Sequence, residues 1–289
     1  MAVTAQMVKD LRESTGAGMM DCKSALTEAA ETALTEKEIM DLAVEILRKK
    51  GVAKAAKRLD RETSEGLIVA NYSKNQLMML SVTCETDFVS RNNDFKALAD
   101  HLLNHAISVN AANIDEFLAS SIEGKKLEEF LAEKTGTIGE KVEVKHYINH
   151  KSSGYVDYYI HSNSKVGTYI EFDSNPDSAE FQQFAKDVAM HIAAMKPVAL
   201  NRESVDKSVI EKELEIIKEQ LRNEGKKDDM IDKIAMGKLN RFYKDSCLEE
   251  QIFVKSESGK SVKETAAELS KKLGTAVNLV SYQRIAIGE

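Results

Sequence analysis

Leu77-Met78-Met79-Leu80-Ser81-Val82-Thr83, running into Cys84-Glu85-Thr86-Asp87-Phe88-Val89 and then a helical pattern from Phe95, decides the fold. The apolar run reads as a strand, paired with a second one near Leu67–Tyr72 that starts after Gly66. The same order returns after Gly154, with strands near Tyr155–His161 and Gly167–Phe172 and a helix entered at Phe181. Phe95, Ala99 and His105 align with Phe181, Ala185 and His191 at a constant offset. Two strands followed by a helix, twice, predict an α+β core of two pseudo-equivalent subdomains, spanning 66–150 and 151–289. Glu143 to Ile148 offers a further strand.

Outside the core the periodicity is helical. Residues 1–51 read as a small helical module: Met7 and Leu11, the breaker Thr15-Gly16-Ala17-Gly18, then Met19, Cys22, Ala25, Leu26 and Ala29 at helical spacing. A third helix carries Ile39, Leu42, Ala43, Ile46 and Leu47, with an expected stop at Lys49-Lys50-Gly51, where positive charge meets a capping glycine. Residues 52–65 read as a basic helical linker, since Lys49 to Arg61 is dominated by Lys and Arg. Such a run serves either as a local anion-binding patch or as a solvated helix face. Between 203 and 242, Ile210, Leu214, Ile217 and Leu221 step by four, three and four. Asn223-Glu224-Gly225-Lys226-Lys227 is a turn, and Met230, Ile234 and Leu239 mark a return helix, which reads as a protruding antiparallel hairpin inserted in the second subdomain, with an ordinary buried helix pair as the alternative. Ser261-Val262-Lys263-Glu264 predicts a capping box, and Ala276–Tyr282 a last strand.

Composition narrows the function. The 289 residues suffice for two or three domains, and 43% apolar with 30% charged residues is ordinary for a soluble globular protein. A net charge of −7 argues against nonspecific DNA or RNA binding as the main activity. Cys22, Cys84 and Cys247 are odd in number and widely spaced, which supports neither a zinc ribbon nor a disulfide framework. No apolar run approaches the length that spans a bilayer, and a cytoplasmic setting is expected.

Three chemical readings compete. Cys84, one of the six histidines and Asp87 can be written as a thiol triad, although nothing in their spacing supports it over a half-buried strand cysteine. His101 and His105 are four apart on a helix, as His146 and His150 would be, but the first pair lacks the acid of a zinc protease and the second lies in a strand. No GxxxxGK[ST] loop is present, so the chain is expected to bind no nucleotide itself. The third reading needs surfaces alone: Asp87 and Phe88, an acid and an aromatic adjacent in a turn at a strand end, are suited to probing a partner. Its plain alternative is that Phe88 fills the local core. No enzyme, cofactor or metal is expected.

One resemblance bears on that choice. Leu11-Arg12-Glu13-Ser14-Thr15-Gly16-Ala17-Gly18-Met19-Met20-Asp21-Cys22-Lys23-Ser24-Ala25-Leu26 resembles the opening of the bacterial elongation factor Ts family, the guanine-nucleotide exchange factors of elongation factor Tu. Further blocks follow in the family's order: Arg48-Lys49-Lys50-Gly51 and Ala53-Lys54-Ala55-Ala56-Lys57, Cys84 to Val89, Met190-His191-Ile192-Ala193-Ala194 with Lys196-Pro197, and the late stretch from Lys212-Glu213 to Gln251-Ile252-Phe253-Val254. The resemblance implies that the N-terminal helices form a ubiquitin-associated-like bundle, with extra residues here around Thr32 to Glu38. It implies elongation factor Tu as partner, with Asp87 and Phe88 intruding into the GTPase to disturb its Mg²⁺ site while Thr86 and Val89 hold the turn. Arg12, Met19, Met20 and His161 match further family contacts. One of the two methionines could equally serve the module's own core, and His161 could be an ordinary exposed strand-end histidine. The hairpin is implied to add a contact or a self-association surface.

Overall fold

A computed structural model describes residues 2–289, mixed helices and antiparallel sheets of the α+β class. Contacts divide the chain into two units. The first runs to His150 and takes in Ser162–Lys165 and Ala286–Glu289; the second comprises Lys151–His161 and Val166–Ile285.

The first unit opens with helices α1 (Ala5–Thr15), α2 (Met19–Ala29) and α3 (Glu36–Ala56). Thr4 caps α1, and Gly16 ends it in the left-handed region (φ 68°), donating its N–H to Arg12 O. That conformation suits glycine, which is why the breaker lies there. Met7, Leu11, Cys22, Leu26, Ile39 and Ala43 fill the space between the three helices. Thr35 and Glu38 form a capping box that starts α3 after the longer turn. The expected stop at Gly51 is not observed. α3 continues through Gly51 to Ala56, and Gly136 of a later helix approaches so closely that a Cβ on it would lie 2.3 Å from the Cα of Gly51.

Strands β1 (Glu65–Ser73) and β2 (Gln76–Cys84) pair antiparallel, from Glu65 opposite Cys84 to Ser73 opposite Gln76. Lys74 and Asn75 both take positive φ (52° and 60°), the geometry of a two-residue hairpin loop that matches strand twist. The chain continues through α4 (Asp87–Ser90), α5 (Asn93–Val109), α6 (Ile114–Ala119), the short pair β3 (Ser121–Ile122) and β4 (Lys125–Lys126), α7 (Leu127–Ile138) and β5 (Glu143–Lys151). The sheet order is β1-β2-β5. Leu80, Val82, Phe95, Leu102, Phe117 and Phe130 form the core between this sheet and its helices.

The second unit repeats the plan with β6 (Tyr155–Ile160), β7 (Val166–Phe172) and α8 (Ala179–Met195). Then come α9 (Lys207–Asn223), α10 (Asp228–Ser246), α11 (Val262–Leu273) and β8 (Leu279–Ala286), in a sheet ordered β6-β7-β8. The two hairpins share a backbone device. A Cβ on Gly66 would lie 2.2 Å from Val82 O, and one on Gly154 would lie 1.9 Å from Phe172 O. Each glycine admits a close approach of the facing strand that no side chain permits.

Two details depart from the sequence reading. On α10 Ile231 and Ala235, not Met230, turn toward Ile217 and Leu221, and Met230 is exposed. The last strand starts three residues later than expected, because Val277 N–H is taken by Ser270 Oγ and Asn278 is bound twice to the Asp173 carboxylate. The Ser261–Glu264 capping box forms as predicted.

Candidate functional site

β2 is buried almost throughout, so the chain leaves the sheet at Cys84 from a fixed base. Two carboxylates then grip the exit. Glu140, just beyond the end of α7, accepts the N–H of Thr86 (2.9 Å) and of Glu85 (3.1 Å) on Oε2, and the Thr86 hydroxyl (2.6 Å) on Oε1. Glu85 answers in the opposite direction, accepting Lys141 N–H at 2.7 Å. Arg58 and Arg61 hold the same Glu85 carboxylate at 3.1 and 2.9 Å. Burial alone would raise this carboxyl's pKa, but the Lys141 amide and the two guanidiniums outweigh it and hold it below the usual range.

This grip fixes the next turn. Thr86 is the N-cap of α4, yet its side chain makes no capping bond, because its hydroxyl is given to Glu140. Asp87 O accepts Arg91 N–H and the Ser90 hydroxyl, and the Asp87 carboxylate pairs with Arg91 at 3.0 Å. Val89 points inward and packs on the core, while Phe88 is 85% exposed. The core-plug alternative for Phe88 is therefore excluded, and the inward role belongs to its neighbour Val89.

Arg12 lies exposed on α1, and Met19 and Met20 at the start of α2 are 56% and 76% exposed, so neither methionine fills the module's core. A groove of about 630 Å³ has Ser14, Thr15 and Gly16 on one side and Val89, Asn92, Asp94 and Leu98 on another. The end of α1 and the turn thus border one space. His161, in the second unit, is an exposed residue at the end of β6 whose Nδ1 sits 2.9 Å from the Tyr159 hydroxyl.

The competing chemistries find no support in these positions. Cys84 is fully buried rather than half-buried, and its thiol is pushed up to about 12 by burial first, then by the charges of Glu140 and Glu65. A thiol so placed supplies no thiolate nucleophile near neutrality. His101 faces Glu123 at 3.2 Å, His105 bonds Ser120, and His146 bonds Ser81, each with a structural partner. Among the described residues no group of three His, Cys, Asp or Glu is placed to hold a metal ion, and no helix is long and apolar enough to cross a membrane.

Sequence reasoning missed Glu85 and Glu140 as the anchors of the turn. It read Arg58 and Arg61 only as part of a basic run, although both point at Glu85. No local signal pairs residues separated by more than fifty positions.

Comparison with known proteins decides the lineage. A model of the family Elongation factor TS matches residues 85–289, starting at the residue that leaves β2. The elongation factor Ts of Christiangramia forsetii is 42% identical over 288 residues, which cover 99% of each chain. The chain belongs to the elongation factor Ts family. The elongation factor Ts of Clostridioides difficile is 38% identical over 290 residues (99% of this chain and 93% of that protein), and that of Nautilia profundicola 43% identical over 296 (99% and 93%). Elongation factor Ts proteins are nucleotide exchange factors of elongation factor Tu.

Proposed function

We propose that this chain binds elongation factor Tu·GDP and promotes GDP release by inserting Asp87 and Phe88 beside the nucleotide site, so that GTP can enter during translation elongation in the cytoplasm. The observation that carries this reading is Phe88 at 85% exposure on a turn whose backbone is tied down by Glu140. A large aromatic held in water on a rigid base costs hydration without serving its own fold, and it gains on reaching an apolar pocket elsewhere.

In P-loop GTPases the phosphates and Mg²⁺ are held by the loop lysine, a Ser or Thr hydroxyl and an acidic residue. Phe88 acts as the wedge that displaces the elements carrying those groups, and Asp87 brings a negative charge toward the Mg²⁺ region. Thr86 and Val89 hold the turn. Arg12 offers a planar fork to carboxylates or carbonyls, and Met19 and Met20 adapt to an uneven apolar surface, so the N-terminal helices supply affinity. His161 adds a contact from the second unit, and the α9–α10 hairpin a further contact or a self-association surface. The chain itself holds no nucleotide.

Release of labelled GDP from elongation factor Tu, measured with and without the chain, tests the proposal. Acceleration that saturates with chain concentration is expected. Stable binding with unchanged release would leave a docking adaptor instead.

A further inference from the structure

The grip on the exit of β2 is reciprocal. The side chain of Glu140 takes the backbone of Glu85 and Thr86, and the side chain of Glu85 takes the backbone of Lys141. Each acid thus satisfies main-chain donors beside the other, as a capping box does within one helix, here between two remote segments. Three of these contacts converge on Glu140, and both of its oxygens are used on two consecutive residues of the turn. Charged acceptors make shorter and stronger hydrogen bonds than neutral ones, so this carboxylate is a stiff anchor. α4 needs such an anchor. It is four residues long and has no side-chain cap, and an isolated turn of helix does not hold its own shape in water.

We infer that Glu140 is a positioning residue for exchange: it holds Thr86 so that α4 presents Asp87 and Phe88 outward in one fixed direction. The inference rests on the proposed role of Phe88. A preformed wedge loses less conformational freedom on docking than a mobile one, so loosening it weakens the step it performs. Glu140 acts through the turn and touches no partner. Its loss should therefore matter less once Phe88 is gone, when only Asp87 is left to be positioned.

The test uses the full chain and four variants: Glu140→Ala, Glu140→Gln, Phe88→Ala and the double variant Phe88→Ala/Glu140→Ala. Hydrogen exchange of the free protein reads the clasp directly. In Glu140→Ala the amides of Glu85 and Thr86 should exchange about tenfold faster or more, the loss expected for a charge-assisted hydrogen bond. In the GDP-release assay, Glu140→Ala should lower the maximal rate at saturating chain several-fold with melting temperature close to wild type. Glu140→Gln, which keeps the volume and one acceptor oxygen, should fall between. The double variant should fall below Phe88→Ala by clearly less than the full factor of Glu140→Ala.

Unchanged protection of both amides, or unchanged maximal release in Glu140→Ala while Phe88→Ala is impaired, overturns the inference. So does a double variant that falls below Phe88→Ala by the full factor of Glu140→Ala, the pattern of a general structural role. A silent Phe88→Ala instead removes the wedge and the positioning role with it, while the amide protection still reports the clasp.

Discussion

Gly51 and Gly136 meet backbone to backbone where α3 crosses α7. A Cβ built on Gly136 would lie 2.3 Å from the Cα of Gly51, whereas one built on Gly51 would lie 3.6 Å from the Cα of Gly136. The crossing is tight in one direction only. It joins the third helix of the N-terminal module to the helix that leads to Glu140, and Arg48 to Glu133 at 3.1 Å adds an ion pair beside it.

That asymmetry predicts opposite outcomes for one chemical change. Gly51→Ala adds a methyl at ordinary contact distance and should stabilise by up to ~1 kcal/mol through helix propensity. Gly136→Ala must push the helices apart and should destabilise by about 1–3 kcal/mol, the usual cost of overpacking. Urea unfolding of the two variants checks it; equal and same-signed shifts would contradict the crossing.

Phe88→Ala should leave stability within about 0.5 kcal/mol of wild type, as for other exposed sites, against about 3–5 kcal/mol for a buried phenylalanine. Maximal GDP release should fall several-fold. A large drop in melting temperature would show that the ring packs on its own fold.

Met20→Ala should behave differently. With the side chain 76% exposed, the melt should not move, and the chain concentration for half-maximal GDP release should rise at unchanged maximal rate. Deleting residues 1–51 is a blunter test, because α3 continues to Ala56 and the cut strips the cover from α7. The truncated chain should melt earlier as well as bind more weakly.

His191 gives a pH signature. It is fully buried, its Nδ1 accepts Val254 N–H at 3.3 Å, and its Nε2 faces Gln251 Oε1 at 3.0 Å, which fixes the neutral tautomer with the proton on Nε2. Burial lowers its pKa below the ordinary 6.5, against the opposing effect of the Gln251 bond. Below 6.5 the unfolded imidazole binds a proton that the folded one refuses, so stability is lost as pH falls through that value and onward to the folded pKa. Burial lowers His105 and His146 likewise, and both add slope of the same sign. Urea midpoints between about pH 7.5 and 5 should fall in the wild type and fall less steeply in His191→Gln, which cannot titrate. Parallel slopes would exclude His191 as a source.

Linkage supplies a test of the exchange mechanism itself. A chain that works by distorting the nucleotide site must bind empty elongation factor Tu more tightly than the GDP·Mg²⁺ form, and added nucleotide must expel it. Titration calorimetry against both forms decides. Equal affinities would mean that binding shifts nothing.

The local parts of this architecture were legible in the sequence. Leu77–Val82 is a strand because it is a short apolar run in front of a turn, Thr15-Gly16 ends a helix because glycine tolerates positive φ, and Ser261 caps α11 through Glu264. What failed was non-local. Lys49-Lys50-Gly51 has the composition of a helix end, but the helix runs on through Gly51 under the close approach of Gly136 from α7, which no local pattern reports. Met230 and Ile231 are both apolar, and only the partner helix selects the one that turns inward. At the turn, sequence pattern marked Asp87 and Phe88 but could not reveal Glu140, which acts through space from 54 residues away.

The exposed ring of Phe88 also makes temperature a variable. Water ordered around an aromatic face raises the heat capacity of the free chain, and covering that face releases it. Any partner surface that takes in Phe88 must therefore show a negative heat-capacity change on association. Its hydrophobic share weakens on cooling. If a partner covers Phe88, the strength of that association varies with the temperature at which the chain is used.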